Sequence, residues 1–256
     1  MTVVDLNADM GESFGPWTMG DDAALLDVVT SANIACGGHA GDPDVMARTM
    51  AMARDGGVGI GAHPGFADLQ GFGRREMVLS GEEVANLVAF QVGALSGVAA
   101  RIGARVRHVK LHGALANMAS RDHDLAGVAY RAALAVCPDA ILLVIAGTAQ
   151  QTAARGLGAR WAGEIFADRG YEDDATLTRR GAEGAMIHDP AEAAARMVRF
   201  VRGGAIVARS GRRIPAACDS ICLHGDGPEA VAIARAVRAA LEAEGIVLAP
   251  MTGRRG

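Results

Sequence analysis

The stretch "NADMGESFG" (residues 7–15) places three polar side chains, Asn7, Asp9 and Glu12, directly after the apolar start of the chain. Asn7 and Asp9 are two residues apart and therefore share a face on a strand, whereas Glu12 lies beyond the strand and is less constrained. A strand that only fills a core has no need of such residues. We predict that Asp9 binds a metal, acts as a general base or orients a histidine, and that Asn7 and Glu12 bind substrate.

Two histidines follow small residues at the ends of apolar segments. His39 ends "NIACGGH" and His63 ends "GIGAH", and in both segments the residues two and four positions earlier are Gly or Ala. Small neighbours on the same face leave room beside an imidazole. A single histidine at such a position is usually a hydrogen-bonded core residue, but two in succession, together with Asp9, favour a catalytic site.

The segment "HVKLHGAL" carries a lysine and a histidine two residues apart. Lys110 and His112 therefore face the same way on a strand, with His108 on the same face below them. A lysine among apolar residues must be paired, so Lys110 is expected to meet a carboxylate of a neighbouring strand or of the substrate. We predict that Lys110 and His112 are catalytic, together with Asp9, His39 and His63.

The remaining candidates lie near the later strands and in a long loop. Arginine binds carboxylate or phosphate through two parallel hydrogen bonds. Arg74 and Arg169 could each bind substrate in this way, although surface arginines are common and each could be one of these. "ICLHGD" places His224 and Asp226 on one face, and Asp226 also suits a helix cap. The predicted substrate- or phosphate-binding residues are therefore Asn7, Glu12, Arg74, Asp168, Arg169, His224 and Asp226.

Short apolar runs alternate with longer segments of helical periodicity along the whole chain. The runs predict seven strands and a candidate eighth: Val3–Ala8, Ser31–Cys36, Val58–Ala62, Val106–Leu111, Ile141–Ala146, Trp161–Phe166 and Ile221–His224, then Ile246–Ala249. Helix starts are indicated by Asp42 before a proline, by a capping box of Ser80 with Glu83, and by Asp189 before a proline. Polar residues follow most of the strands, and their convergence at one face favours a closed TIM-like (β/α) barrel over an open sheet. We predict one α/β domain over residues 1–256, with irregular segments at 66–79 and 168–184.

Composition excludes some classes of function. The 256 residues are 50% hydrophobic and 21% charged, with a net charge of -4 and no long basic block. Nucleic-acid binding is therefore not expected. The charge pattern instead favours a small molecule or another protein as the partner. The longest apolar runs are shorter than the roughly 20 residues of a membrane span, and no signal-peptide pattern opens the chain. Four cysteines fit a reducing cytoplasm better than a disulfide framework.

Six motifs together resemble the LamB/YcsF family, which provides the A subunit of bacterial ATP-dependent 5-oxoprolinase. They run in order over about residues 2–250: "DLNADMGESFGPWTMGDD", "TSANIACGGHAGD", "GAHPGFADLQGFGRREM", "VKLHGAL", "FADRGYEDDATLTRR" and "ICLHGD". The resemblance implies a seven-stranded barrel related to the glycoside hydrolase/deacetylase fold. It also implies cleavage of 5-oxo-L-proline to L-glutamate with hydrolysis of ATP, which carries Mg²⁺ as its counter-ion, in a complex with the B and C subunits of 5-oxoprolinase.

The chain departs from the family pattern at a few positions. The pattern leads us to expect a bulky aromatic residue at Gly38, a proline at Leu111, and a Tyr-Asn pair at Ala116 and Asn117. If these residues contact substrate, they alter the shape of the pocket and its specificity.

Two other functions remain open from the residues alone. Asp9, His39 and His63 resemble the Asp-His-His metal set of polysaccharide deacetylases, which would make the protein a metal-dependent amide hydrolase. The chain also lacks the Gly-rich nucleotide motifs of P-loop and Rossmann proteins. That absence is compatible with a subunit that binds substrate without catalysing the reaction, or with one that leaves ATP to its partners.

Overall fold

Seven parallel strands close into a barrel in a computed structural model that describes residues 2–224 and 229–255. The barrel strands are β1 (Val3–Met10), β2 (Ser31–Ala35), β3 (Gly59–His63), β4 (His108–Lys110), β5 (Ile141–Ile145), β6 (Trp161–Phe166) and β9 (Ser220–Leu223). The ring runs β1-β2-β3-β4-β5-β6-β9 and closes through pairing of β9 with β1. In this register Asn7 of β1 lies opposite both Ser31 of β2 and Cys222 of β9.

The ring confirms the predicted fold class and all seven predicted barrel strands. The candidate eighth strand is β10 (Val247–Leu248), which pairs with Val3 and Val4 below the ring and does not enter it. Sequence reasoning missed the antiparallel hairpin of β7 (Ala205–Val207) and β8 (Arg213–Pro215). Both hairpin strands have only three residues, and β8 is largely exposed, so no apolar run marks them.

The helices surround the ring, and the three whose starts are predicted from the sequence begin at the expected residues. Asp42 and Asp189 accept hydrogen bonds from backbone N–H groups of the first turns of their helices, and Ser80 with Glu83 forms a complete capping box. The helices are α1 (Asp22–Leu26), α2 (Pro43–Asp55), α3 (Gly81–Arg101), α4 (Gly113–Ala119), α5 (His123–Val136), α6 (Ala149–Gly156), α7 (Pro190–Gly203) and α8 (Ala230–Ala243).

Helix α3 is the one described helix that is long and apolar enough to cross a membrane by length and composition. In the fold it packs against α5 and α2 and buries Val84, Val88, Val92 and Leu95 against the barrel. These contacts account for the apolar side chains on the buried face of α3.

The strands are buried on both faces, which explains their nearly continuous apolar runs. Apolar side chains fill the space between ring and helices, and polar residues occupy much of the barrel interior. The irregular segments after β3 and β6 lie at the carboxyl ends of the strands, where the sequence predicts the site.

Candidate functional site

A cavity of about 740 Å³ opens at the carboxyl end of the barrel, and most of the predicted site residues surround it. The lining includes Asp9, His63, Lys110, His112 and His224. Asn7 and His39 are buried behind it. Asp226 lies outside the described residues. The expected convergence of strand ends at one face therefore gathers these side chains into a single site.

A buried ammonium group lies between two carboxylates at the base of the cavity. Lys110 Nζ is 2.8 Å from Asp9 Oδ1 and 2.8 Å from Glu164 Oε1, and it also donates to Asn7 Oδ1 at 3.2 Å. Burial lowers the pKa of Lys110, but Asp9, Cys222 and Glu164 together hold it well above its ordinary value. Lys110 is therefore a fixed positive charge and not a general base.

One carboxylate oxygen of Asp9 contacts Lys110, and the other faces the histidines. Its Oδ1 accepts from Lys110 and from Asn33 Nδ2 at 2.8 Å, while Oδ2 lies 3.3 Å from His63 Nε2. Burial raises the pKa of Asp9, but His63 and Lys110 outweigh it and hold that pKa well below its ordinary value. Asp9 is thus an ionised carboxylate whose second oxygen faces His63.

A hydrogen-bonded layer below Asp9 fixes these side chains. Asn33 Nδ2 also donates to Asn7 Oδ1 at 2.7 Å, and His108 Nε2–H donates to Asn33 Oδ1 at 2.8 Å. Burial, with Lys110 as the next cause, lowers the pKa of His108 to about 3, which keeps its ring neutral. Gly61 makes room for that ring, since a Cβ there would lie 2.1 Å from His108 Nε2.

Sequence reasoning missed Asn33 and Glu164. Glu164 interrupts the apolar strand "WAGEIF", and an acidic residue among strand-forming apolar residues is the same signal that identifies Lys110. Asn33 carries no charge and lies inside "SANIA", so its type alone does not distinguish it from a structural amide.

Three histidines and Glu12 form a second group beside Asp9, which we call the histidine cluster (Glu12, His39, His63 and His112). One potential ligand atom from each residue lies within 4.8 Å of the others. His63 Nε2 is 3.0 Å from His112 Nδ1, and Glu12 Oε1 is 3.4 Å from His39 Nε2. The rings of His39 and His112 stack with centroids 3.5 Å apart.

Glu12 is more central than its position beyond the strand indicates. Gly11 has a φ of +65°, a conformation that favours glycine, and its N–H donates to Asp22 at 3.0 Å. This turn brings Glu12 back over the barrel and buries it against the histidines. The candidate metal ligands from the sequence were Asp9, His39 and His63; the structure groups the two histidines with Glu12 and His112. It places Asp9 in a separate group with Cys222 and His224.

The opposite side of the cavity is formed by residues after β6 and β9. His224 Nδ1 is 2.7 Å from Asp168 Oδ2, and although burial raises the pKa of Asp168, His224 lowers it below its usual range. Arg169 lines the cavity, while its Nε and Nη2 donate to the carbonyls of Ala185 and Thr178. Burial lowers the pKa of Arg169 to about 10. Arg169 therefore anchors the irregular segment that follows it.

The opening of the cavity is rich in arginine. Besides Arg169, the lining contains Arg74, Arg75, Arg121, Arg179 and Arg180. Arg75 is bound to Asp68, and Arg121 lies 3.1 Å from Glu76. A positively charged opening above a buried carboxylate and lysine favours the entry of anionic ligands.

Two of the three departures from the family pattern line the cavity: Leu111 and Ala116. The third, Gly38, faces α3, where a Cβ would lie 2.4 Å from Gln91 Oε1. Gln91 in turn holds the backbone of Gly65 from both sides, accepting from its N–H and donating to its carbonyl. A larger residue at position 38 would have to displace this glutamine.

Comparison with known proteins identifies the group to which the barrel belongs. The model of the LamB/YcsF family matches residues 4–256. The chain belongs to the LamB/YcsF family. It is 62% identical over 246 residues to a protein of Ruegeria pomeroyi that is named as the A subunit of 5-oxoprolinase, covering 96% of this chain and 97% of that one. A protein of the same name from Rhodopseudomonas palustris strain BisB18 is 52% identical, over 99% of this chain and all of its own.

A solved structure shares the fold over almost its whole length. The lactam utilization protein from Thermus thermophilus superposes with a TM-score of 0.90 at 43% identity, covering 97% of this chain and 99% of that one. The family and the barrel implied by the motifs are both confirmed.

Proposed function

We propose that this LamB/YcsF protein is the A subunit of an ATP-dependent 5-oxoprolinase, which opens 5-oxo-L-proline to L-glutamate. The proposal is carried by the 62% identity, over nearly the full length of both chains, to a protein named as the A subunit of 5-oxoprolinase. The arginine-rich opening supports it as well, because the substrate carries a carboxylate and a phosphorylated substrate would carry more negative charge.

The reaction adds water across the amide bond of the lactam ring. A hydroxyl group joins the carbonyl carbon, the carbon–nitrogen bond breaks, and the nitrogen takes up a proton. An unstrained five-membered lactam resists this step. Transfer of a phosphoryl group from ATP, with Mg²⁺ as its counter-ion, to the lactam oxygen would make the ring carbon more electrophilic. Water would then add to that carbon, the carbon–nitrogen bond would break, and hydrolysis of the resulting acyl phosphate would release phosphate and glutamate. In our proposal the ATP-dependent step involves the B and C subunits of 5-oxoprolinase as partners.

The site offers groups for each requirement of this chemistry. Asp9 Oδ2 or a neighbouring histidine accepts a proton from the attacking water, since both line the cavity. Lys110 stabilises negative charge that develops on the substrate oxygen. Arg74 and Arg169 at the opening, with Asn7, Glu12 and the His224–Asp168 pair, complete the proposed binding residues, and Asp226 is proposed from sequence alone.

The test is turnover in the assembled complex. The chain is co-expressed with the candidate partner subunits, and glutamate released from 5-oxoproline is measured with and without ATP. Asp9→Asn, Lys110→Met and His112→Gln are each expected to lower the rate by about three orders of magnitude, because each removes a charge or proton carrier of the site. His123→Asn, on the exposed start of α5, is the matched control and should retain activity.

Different outcomes separate the competing functions. Wild-type rates in all three site variants would remove the assignment of these residues. If the isolated chain binds 5-oxoproline but the site variants alter only binding and not the maximal rate, the protein binds substrate without catalysing. Glutamate release that needs no ATP would support the metal-dependent amide hydrolase instead. We also propose a cytoplasmic location, supported by four free cysteines.

A further inference from the structure

One ring nitrogen of His63 faces one ring nitrogen of His112. In each ring the other nitrogen carries a hydrogen atom and donates it to a backbone carbonyl. His63 Nδ1–H donates to the carbonyl of Lys110 at 2.9 Å, because a carbonyl oxygen can only accept. His112 Nε2–H donates in the same way to the carbonyl of Phe72 at 2.8 Å. In neutral rings the other nitrogens, His63 Nε2 and His112 Nδ1, therefore both carry lone pairs.

These two lone pairs face each other at 3.0 Å inside the protein. Two acceptors at hydrogen-bond distance repel unless a cation lies between or beside them. The rings are nearly perpendicular, with an interplanar angle of 89°, so both nitrogens can direct their lone pairs at one point. The carbonyl of Lys110 at the end of β4 and that of Phe72 in a loop thus orient two imidazoles toward a shared positive charge.

We propose that His63, His112 and Glu12 bind one divalent transition-metal ion of the zinc type, with His39 beside them as a positioning residue. This inference concerns the isolated chain and does not depend on the proposed oxoprolinase function. Two imidazoles and one carboxylate are a ligand set used by catalytic zinc sites, in which a fourth position remains open to water or substrate.

The distances fit such an ion. Ligand atoms at about 2.0–2.1 Å from a tetrahedral ion lie roughly 3.3 Å from each other. Here His63 Nε2 and His112 Nδ1 are 3.0 Å apart, and His112 Nδ1 is 3.7 Å from Glu12 Oε1. The hydrogen bonds from His63 to the Lys110 carbonyl and from His112 to the Phe72 carbonyl also fit a metal site. A metal-ligating histidine donates its remaining N–H to a carbonyl or carboxylate.

His39 is assigned a different role because of its orientation. Its ring is parallel to that of His112, with an interplanar angle of 2°, so one ion cannot lie in the plane of both rings. Within residues 2–224 and 229–255 neither of its ring nitrogens forms a hydrogen bond, although Nε2 is 3.4 Å from Glu12 Oε1. We infer that His39 orients the carboxylate of Glu12 and supports the ring of His112.

The bound ion would polarise a carbonyl oxygen or activate a water molecule at the edge of the cavity. Glu12, His63 and His112 all line that cavity, so a ligand could reach the open position.

The experiment measures metal binding directly, with the chain purified through a histidine-free tag and without chelators. Bound metals are quantified by mass spectrometry. After removal with a chelator, Zn²⁺ and Co²⁺ are titrated back by calorimetry and by visible absorption of Co²⁺. We expect one equivalent per chain and an absorption spectrum of four- or five-coordinate Co²⁺.

Variants test the ligand set. Glu12→Gln, His63→Gln and His112→Gln should weaken Zn²⁺ binding by at least about 100-fold, whereas His39→Gln should weaken it by about tenfold and keep one equivalent. His123→Asn, an exposed histidine outside the cluster, should retain wild-type affinity. Circular dichroism and thermal unfolding establish that each variant is folded.

Metal binding by the wild-type protein is the first test of the proposal. Absence of saturable binding of Zn²⁺ and Co²⁺ to the folded wild-type protein would refute it. Unchanged affinity in folded His63→Gln and His112→Gln would also refute it. Loss of binding in His39→Gln equal to that in His63→Gln would refute the proposed ligand set. None of these outcomes depends on glutamate release, so failure of the metal proposal is distinguishable from failure of the proposed function.

Discussion

Replacement of Lys110 by methionine should destabilise the protein by an amount that depends on pH. Methionine preserves most of the apolar stem but removes the charge that lies 2.8 Å from Asp9 Oδ1 and 2.8 Å from Glu164 Oε1. At an effective dielectric constant of about 20, each of these contacts represents a gross attraction of about 6 kcal/mol. Their loss leaves two buried carboxylates next to each other.

Protonation limits the loss, because one carboxyl group can become neutral. Taking up a proton at pH 7 costs about 4 kcal/mol for a group with an unfolded pKa near 4, at about 1.4 kcal/mol per pH unit. At pH 5 the same step costs about 1.4 kcal/mol. We therefore expect the free energy of unfolding to fall by about 4 kcal/mol at pH 7 and by about 1.4 kcal/mol at pH 5.

The sign follows from the pKa of Asp9 in each protein. In the wild-type protein this pKa is lowered, so the stabilisation from Asp9 is fully present above the unfolded pKa and is lost only as the pH falls through the folded pKa. In Lys110→Met the shared proton raises the folded pKa of the carboxyl pair. The variant is then least affected in acid and loses stability as the pH rises.

The assay is guanidinium unfolding of both proteins at pH 5, 6 and 7. Lys110→Met combined with Glu164→Gln is the matched control, and it should recover most of the loss at pH 7, because only one of the two carboxylates that contact Lys110 then remains. A loss that is equal at pH 5 and pH 7, or smaller than about 1 kcal/mol at pH 7, would contradict the electrostatic account and indicate that packing dominates at this site.

Two further predictions concern the frame of the site. Gly61→Ala should lower the free energy of unfolding by about 2–3 kcal/mol in chemical denaturation, because its Cβ would overlap the ring of His108. Gly97→Ala on α3, where no atom lies within 4 Å of the added Cβ, should be neutral or stabilising, and equal losses in the two variants would refute the steric explanation. Arg169→Lys should increase limited proteolysis within residues 170–186 several-fold, because lysine cannot donate to the carbonyls of both Ala185 and Thr178, and an unchanged cleavage rate would show that Arg169 does not anchor that segment.

The barrel was predictable because its strands are buried on both faces and therefore read as short, largely apolar runs. Trp161–Phe166 is observed with the predicted bounds, and the other barrel strands differ from the predictions by a few residues at their ends. The hairpin of β7 and β8 was not predictable from such runs, since its strands are short and its second strand is exposed.

The site was predictable where charge conflicts with burial. Lys110 and Asp9 stand out in apolar surroundings, and the predicted pairing of Lys110 with a carboxylate is confirmed by its contacts with Asp9 and Glu164. The importance of Glu12 could not be derived, because it depends on a left-handed turn at Gly11 that sequence spacing does not show. Nor can spacing show which histidine nitrogens face each other, since loop carbonyls such as that of Phe72 determine the tautomers.

The position of β1 in the ring also has a kinetic consequence. This strand pairs with β2 and, more than 200 residues later in the chain, with β9, and it carries both Asn7 and Asp9. Contacts between such distant segments form late in folding, because a long loop must be closed before they can contribute. The ring thus cannot close before nearly the whole chain has collapsed, and closure brings Asn7 beside Ser220, to whose hydroxyl it donates at 2.7 Å. The contacts of Lys110 with Asn7 and Asp9 should therefore form during refolding at the same time as the barrel closes. A partly folded chain would lack the candidate site.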